Sequence, residues 1–267
     1  MGRKLNFKRT EKKYLLTEKD YENLTELCCD HLRDDEFKEF TVNNIYYDND
    51  DDLLIRRSIS KPQYKEKLRL RGYNNIKDDE LFLEIKKKYD RVVYKRRANI
   101  SFEDLENIDW LDKEHSQIKR ELDYFIKRYQ PKPKYYIGYK RTAFKDKDDN
   151  NLRITFDRDV TYRLDDLDIT HGFYGKKLLD EDELIMEIKT SSAMPLWLVK
   201  VLNELKIYPT SYSKVGNVYK KELIESRGWT DGCIRKCIYE WKWRIIFNDW
   251  IFFTRYRSII TIRIYRR

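Results

Sequence analysis

Residue types that carry much of protein chemistry are scarce in this 267-residue sequence. The three histidines, His31, His115 and His171, stand in no catalytic arrangement. The four cysteines form one adjacent pair and one CxxxC pair, which fits neither a disulfide framework nor a zinc site. They are Cys28, Cys29, Cys233 and Cys237. We interpret them as free thiols of a reducing compartment.

Several motifs and segments are also missing. The sequence contains no serine or cysteine nucleophile motif, no G-x-x-x-x-G-K-[ST] loop and no kinase HRD or DFG set. No stretch approaches the roughly 18 uncharged apolar residues that a membrane-spanning helix needs. Residues 1–13 are basic and polar, without the apolar core of a secretory signal. We therefore expect a cytoplasmic protein, with any membrane association made through a separate membrane-protein partner.

Charge, by contrast, is abundant. Charged residues make up 39% of the chain, and the 40% of hydrophobic residues are enough for a packed core. The net charge is +9, but residues 226–267 carry +7 of it, which leaves +2 for residues 1–225. The net charge of the main part therefore predicts no anionic partner, and only the placement of charges can do so. We divide the chain into a main domain, 1–225, and a basic aromatic tail, 226–267.

Alternation of apolar and charged residues predicts a largely antiparallel sheet. The predicted strands are Val42–Tyr47, Tyr64–Tyr73, Leu81–Lys88, Arg91–Arg97, Tyr136–Phe144, Leu152–Asp157 and Leu184–Thr190. Four helices are predicted around them, one capped by Thr17, one capped by Ser101, one over Glu114–Tyr129 and one beginning at Pro195.

Each predicted strand has one apolar face and one ionic face, because side chains alternate along a strand. The ionic faces are rich in arginine, and they include isolated glutamates, Glu84 and Glu187, each two residues before a lysine. One interpretation is an ordinary sheet that shows its ionic face to water. The other is a barrel with these faces inward, where arginines would bind a polyanion and the glutamates a divalent metal.

The order and spacing of ten blocks make the sequence resemble the VTC domain, the polyphosphate polymerase domain of the vacuolar transporter chaperone family, which belongs to the triphosphate tunnel metalloenzymes. The blocks are FKRTEKKY (7–14), NIYYDN (44–49), YKEKLRLRGY (64–73), LFLEIKKK (81–88), VYKRR (93–97), YKRTAF (139–144), LRITFD (152–157), LIMEIKT (184–190), MPLWL (194–198) and YPTSYSKVGNVY (208–219). The resemblance implies an α+β fold, in which an antiparallel eight-stranded β-barrel tunnel of the CYTH-like type has helices outside.

The resemblance also implies roles for individual residues. The phosphate-binding lining would comprise Lys13, Arg69, Arg71, Lys86, Lys95, Arg97, Arg141, Arg153, Lys189, Ser213 and Lys214. The catalytic set would be Arg69, Arg71, Lys86, Arg141, Arg153 and Glu187. Glu187 would hold the metal, and the weaker metal candidates are Glu11, Glu66 and Glu84. For Glu66 and Glu84 a simple ion-pair role stays open.

Two positions depart from the eukaryotic pattern of the family. Ser211 stands where those members carry another lysine, which places that contact in doubt. Lys88 stands where they carry a histidine, so a basic group persists there without a titrating role.

By the resemblance, the chain is a polyphosphate polymerase that transfers the γ-phosphate of ATP to a growing polyphosphate chain, with Mn²⁺ or Mg²⁺ as cofactor and no specific nucleic acid partner. A tunnel triphosphatase and a non-catalytic polyphosphate-binding module remain as alternatives. The tail falls outside the resemblance. It is either a membrane-surface or nucleic-acid-contacting extension, or a poorly ordered end that arises from a reading-frame change.

Overall fold

The computed structural model describes residues 10–60, 62–74, 76, 81–90, 92–101, 117–149, 151–191 and 193–227. Its strands are β1 Thr10–Thr17, β2 Leu32–Asp48, β3 Tyr64–Tyr73, β4 Leu81–Tyr89, β5 Val92–Ile100, β6 Lys132–Asp146, β7 Arg153–Arg163, β8 Lys176–Lys177 and β9 Glu183–Thr190. Its α-helices are α1 Glu18–Leu27, α2 Leu53–Ser60, α3 Gln117–Tyr129, α4 Leu196–Glu204 and α5 Lys214–Arg227.

The strands form one antiparallel sheet in the order β1-β9-β7-β6-β2-β3-β4-β5, with β8 added beside β7. The sheet is curled, as the contact between two strands near opposite ends of that order shows. The Nζ atom of Lys86 on β4 lies 3.9 Å from Oε2 of Glu11 on β1. The predicted antiparallel tunnel fold is thus confirmed. Its eight-stranded path is curled, and within the described residues no hydrogen-bonded ladder joins β1 to β5.

Helices cover the outer, apolar faces of the strands. Side chains of β1, β7 and β9, with Phe156 at the centre, pack against α1 and α4. Leu68 and Ile85 of β3 and β4 pack against Leu122 and Phe125 of α3. Burying side chains of this size contributes about 1.5–3 kcal/mol each. Because these faces point outward to helices, the opposite, ionic faces must line the inside of the curl.

Part of the inner face is apolar. Val42 and Ile137 of β2 and β6 pack against Ile55 of α2 and Val218 of α5. They share a face of the sheet with Asn44, which lies two positions after Val42 and pairs with Ile137. Asn44 accepts a hydrogen bond from Arg71 of the ionic face. Helix α5 and one side of α2 therefore cover this apolar part of the inner face, and the ionic part begins beside the first residues of α5.

Local chemistry explains two helix starts. In α1 the backbone N–H of Asp20 donates to Thr17 Oγ1 at 3.1 Å, and the N–H of Thr17 donates to Asp20 Oδ2 at 2.9 Å. This capping box confirms the predicted Thr17 cap. In α2 the buried carboxylate of Asp48 accepts the backbone N–H groups of Leu54 at 2.9 Å and Ile55 at 2.8 Å.

The predicted strands are all present, but several are longer than predicted; β2 has 17 residues where six were expected. Four elements, β1, α2, β8 and α5, were not predicted. The predicted Glu114–Tyr129 helix starts at Gln117 in the described part. The helix capped by Ser101 and, beyond Arg227, the tail lie outside the described residues.

Candidate functional site

The ionic inner face gathers side chains from seven strands of the curled sheet and from the start of α5. Its cations are Lys13, Lys65, Lys67, Arg69, Arg71, Lys86, Lys95, Arg97, Arg141, Arg153, Lys189 and Lys214. Its carboxylates are fewer: Glu11, Glu84, Asp157 and Glu187. The alternation of each strand, combined with the register of its neighbours, places all of them opposite the helix-packed faces. Within this set, two groups each have a single glutamate at the centre.

The first group has Glu187 of β9 at its centre. Its Oε1 lies 2.9 Å from Lys13 Nζ and 3.8 Å from Lys214 Nζ, and its Oε2 lies 3.2 Å from Lys189 Nζ and 3.5 Å from Arg141 Nη2. Burial alone would raise the pKa of Glu187, but Lys13, Lys214 and Lys189 outweigh it and hold that pKa well below its usual value. We call Glu187 with these four cations the Glu187 group.

Asp157 of β7 accepts hydrogen bonds from two cations of this group. Arg141 donates its fork to it, Nε to Oδ1 at 2.6 Å and Nη2 to Oδ2 at 2.8 Å, and Lys214 Nζ donates to Oδ2. Asp157 is fully buried, and it pairs directly with Arg141 in the β6–β7 ladder. The contact fixes the arginine plane, and from this position Nη2 also reaches Glu187 Oε2 at 3.5 Å.

The segment before α5 brings Ser213 and Lys214 to the site. Ser213 caps α5, since its Oγ accepts the N–H of Gly216 at 3.3 Å, and Lys67 Nζ donates to the same oxygen at 3.2 Å. Upstream, Thr210 forms a bridge with Lys13 of β1 and donates its N–H to the Lys13 carbonyl at 2.7 Å. This segment therefore connects β1 and β3 across the curl.

The second group has Glu84 of β4 at its centre. Arg69 donates from Nε to Glu84 Oε2 at 2.7 Å, and its Nη2 lies 2.7 Å from the same oxygen. Lys95 Nζ and Arg97 Nε each lie 2.6 Å from Oε1. Arg69, Glu84 and Arg97 are direct cross-strand partners on β3, β4 and β5. We call Glu84 with these three cations the Glu84 group.

Two further cations lie between the groups. Arg71 is buried and donates to Asn44 Oδ1 at 2.9 Å and to the hydroxyl of Tyr139 at 3.2 Å. Lys67, which was not among the predicted site residues, has no ion pair with any described carboxylate. Burial and the neighbouring Lys65 and Lys86 lower its pKa well below the usual value. Arg71 therefore leaves positive charge uncompensated on the inner face, whereas the lowered pKa of Lys67 favours its neutral amine until an anion binds beside it.

The structure does not bring every predicted residue to these groups. Arg153 shares the inner face of β7, but its Nε lies 2.7 Å from Asp35 Oδ2, away from the Glu187 group. Glu11 stands between Lys13, at 3.6 Å, and Lys86, at 3.9 Å, so it lies beside the Glu187 group without joining it.

Glu66 requires a correction. It was a weaker candidate for a metal contact, but it lies on the outer, helix-packed face of β3. There its Oε2 accepts the hydroxyl of Tyr129 of α3 at 2.7 Å, and its Oε1 is 3.9 Å from Lys87 Nζ. The reason is strand alternation, which places Glu66 on the face of Leu68 and Leu70.

The two central glutamates differ in their fitness for a metal. Glu84 accepts short contacts of 2.6–2.7 Å, four of them from the nitrogens of two arginines, whereas the contacts of Glu187 span 2.9–3.8 Å and come mainly from flexible lysines. Among the described residues no three metal-binding side chains lie close enough to hold an ion alone. Mg²⁺ usually combines one or two carboxylates with substrate phosphates. Glu187 therefore fits a metal that arrives with a phosphate ligand.

Comparison with known proteins gives one family and a set of structures. The family model of the VTC domain matches residues 8–222. A candidate adenylate cyclase from Bacillus halodurans has a TM-score of 0.50 at 14% identity, over 76% of this chain and 92% of its own. The PH1819 protein of Pyrococcus horikoshii has a TM-score of 0.44 at 15% identity, over 80% and 99%. Among curated proteins no match is found.

The first of these structures supports the tunnel fold and no particular activity, because fold alone does not determine function. Over the described residues, no helix has the length and apolar character required to cross a bilayer.

Proposed function

Because the chain belongs to the VTC domain family, we propose that it is a metal-dependent polyphosphate polymerase that transfers the γ-phosphate of ATP to a growing polyphosphate chain. One observation carries the proposal: cations from seven strands face one another across a curled sheet and outnumber the carboxylates among them. Such a lining is stable only when anions and water fill it, and the triphosphate of ATP has the matching charge and length.

Binding of the donor relies on the arginines and lysines of the Glu187 group. The guanidinium of Arg141 is held in a fixed plane by Asp157 and keeps donors for phosphate oxygens, a geometry suited to bidentate contacts. Lys13, Lys189 and Lys214 lie on three separate elements around it. They would follow the phosphate oxygens as point charges, because each amine rotates freely on its stem.

The metal belongs to the same proposal. Glu187 would hold a Mn²⁺ or Mg²⁺ ion together with phosphate oxygens, and such an ion supplies neutralisation of the charge that builds up on the transferring phosphoryl group. For Glu187 to serve as a ligand, the phosphates must draw its lysines away. Three of the four contacts of its carboxylate, at 3.2–3.8 Å, are long and suit this exchange, while Lys13 lies closer at 2.9 Å.

The chemical step needs little covalent participation by the protein. An oxygen of phosphate, pyrophosphate or the polymer end attacks the γ-phosphorus in line, the bond to the β-phosphate oxygen breaks, and ADP leaves. Placement and charge stabilisation carry the catalysis. Arg71 and Lys67, between the two groups, would bind the acceptor phosphates, and the Glu84 group would bind the polymer beyond them.

Incubation of the purified protein with ATP and Mn²⁺, followed by gel electrophoresis of the products, tests this function. We expect ADP to be released in step with a ladder of long polyphosphate. Release of free phosphate without polymer would instead identify a tunnel triphosphatase. Retention of added polyphosphate without turnover would identify a binding module, and either result would overturn the polymerase.

A further inference from the structure

Glu84 is the most completely enclosed carboxylate of the polyanion-facing wall formed by β3, β4 and β5. Its side chain is only 1% exposed, and each ion-pair partner it has among the described residues is a cation of the Glu84 group. Burial alone would raise its pKa, but Arg69, Arg71 and Lys95 hold the pKa of Glu84 far below its usual value. The carboxylate is thus permanently ionised at neutral pH.

The contacts leave Glu84 no room for a metal. Oε2 receives two nitrogens of Arg69 and Oε1 receives Lys95 and two nitrogens of Arg97, all within 2.6–2.7 Å. A bound metal would need these oxygens free, and two arginine forks would have to move away first. The role of Glu84 must therefore concern the cations that surround it.

Those cations are still open to an anion. One carboxylate cannot neutralise three cations, so the Glu84 group keeps an excess of positive charge. The side chains of Lys95 and Arg97 are 44% and 35% exposed, so an anion from solvent can reach both. A polymer phosphate that contacts them would meet the Glu84 carboxylate as a competitor for the same donors.

We propose that Glu84 is an internal counter-ion, which occupies the place of a polymer phosphate while the wall is empty and limits how tightly the wall holds polyphosphate. The inference rests on the proposed function, since it assigns a task to one residue of the same site. Glu84 keeps Arg69, Lys95 and Arg97 oriented in the free protein, where they would otherwise repel one another. It also repels the bound polymer, which favours its release.

The counter-ion role predicts a gain of binding when its charge is removed. In Glu84→Gln the amide keeps the shape of the side chain but no longer repels phosphate or neutralises its neighbours. We expect the Kd for medium-chain sodium polyphosphate to fall about tenfold, equivalent to about 1.4 kcal/mol. Slower release should also lengthen the products made from ATP and Mn²⁺ while the steady-state turnover falls. Glu84→Asp keeps the charge and should bind within about threefold of wild type.

Isothermal titration calorimetry with polyphosphate measures the affinity, and gel electrophoresis of the products measures their length. Glu181→Gln is the control, because Glu181 is 90% exposed on the loop before β9. Weaker or unchanged polyphosphate binding by a folded Glu84→Gln protein would overturn the proposal. So would a selective loss of Mn²⁺ affinity, which would make Glu84 a metal ligand.

A second variant keeps the proposal testable if Glu84→Gln does not fold. Glu84→Gln combined with Lys95→Gln has the wild-type net charge of the group but lacks one donor, so its reference is Lys95→Gln alone, and we expect the double variant to bind polyphosphate at least about threefold more tightly than that single variant. Binding no tighter than that of Lys95→Gln would overturn the counter-ion role. Failure of the wild-type protein to make polymer would refute the polymerase, whereas unaltered binding by Glu84→Gln refutes the counter-ion alone.

Discussion

Replacement of Glu187 by glutamine tests the centre of the proposed site most directly. The substitution keeps the length and shape of the side chain and removes the one negative charge that four cations share. The new amide group would have to place its own donors against lysine or arginine. We expect two consequences, a less stable ligand-free protein and the loss of ATP turnover.

The size of the first effect follows from the contacts. At about 3 Å and an effective dielectric constant of about 20, one ion pair contributes about 5 kcal/mol of gross attraction, most of which desolvation offsets. Removal of one partner from a buried network costs about 3–5 kcal/mol. Lys13 and Lys189 are 24% and 29% exposed, and water screens them, so we expect the low end, about 3 kcal/mol.

A loss of about 3 kcal/mol in a domain of this size corresponds to a Tm lower by roughly 6–12 °C. Tripolyphosphate should recover most of this loss, because it neutralises the same cations and binds only the folded state. Turnover of ATP with Mn²⁺ should disappear while polyphosphate binding is largely kept, since the cations remain.

Thermal unfolding with and without tripolyphosphate, together with ADP release, measures these expectations. Glu181→Gln serves as the matched control, because it removes the same charge from an exposed loop. Unchanged turnover in Glu187→Gln would refute the metal role of this carboxylate. An unchanged Tm would refute the view that its four cations depend on it.

Three further predictions concern other parts of the molecule. Burial lowers the pKa of Lys95 to about 8, despite an opposing carboxylate, so its charge is present below that pH and lost above it. Polyphosphate affinity should therefore fall between about pH 7 and 9, and Lys95→Arg should flatten this profile. Equal pH dependence in the wild type and the variant would contradict a role of the Lys95 charge. Asp48→Ala removes the acceptor for two buried N–H groups at the start of α2 and should cost about 2 kcal/mol in urea unfolding, a loss that an unaltered midpoint would disprove. Glu66→Gln should weaken the contact with Tyr129 by about 1–2 kcal/mol and keep ATP turnover, whereas a lower Mn²⁺ affinity would return Glu66 to the site.

The sheet could be predicted from the sequence because strand alternation is a local property. Tyr64–Tyr73 shows this best, since its predicted and observed bounds agree. Strand β1 was missed because only a short stretch is apolar on its packed face, where Tyr14 and Leu16 are buried. Helix α5 was missed because its apolar residues pack against the inner face of the curl, where sequence alone shows no partner.

Which face of the sheet points inward could not be read from alternation, because a solvent-facing ionic sheet has the same pattern. The resemblance to a family supplied that choice. Asp157 was overlooked as a site residue although it shares a strand face with Arg153. Its importance arises only from the β6–β7 register, which sets it opposite Arg141. Glu66 shows the reverse case, since alternation alone already placed it with the apolar residues of β3.

Strands β1 and β4 meet through the Glu11–Lys86 side-chain contact, and no backbone ladder joins them in the described residues. This arrangement has a consequence for how long ligands enter. We expect this contact between two partly exposed side chains to part and close again, so that a long anion would not have to be inserted end first. Cyclic trimetaphosphate and larger ring phosphates, which have no free end, should then compete with linear polyphosphate for the interior. Loading from the side would let the protein engage a polymer in mid-chain.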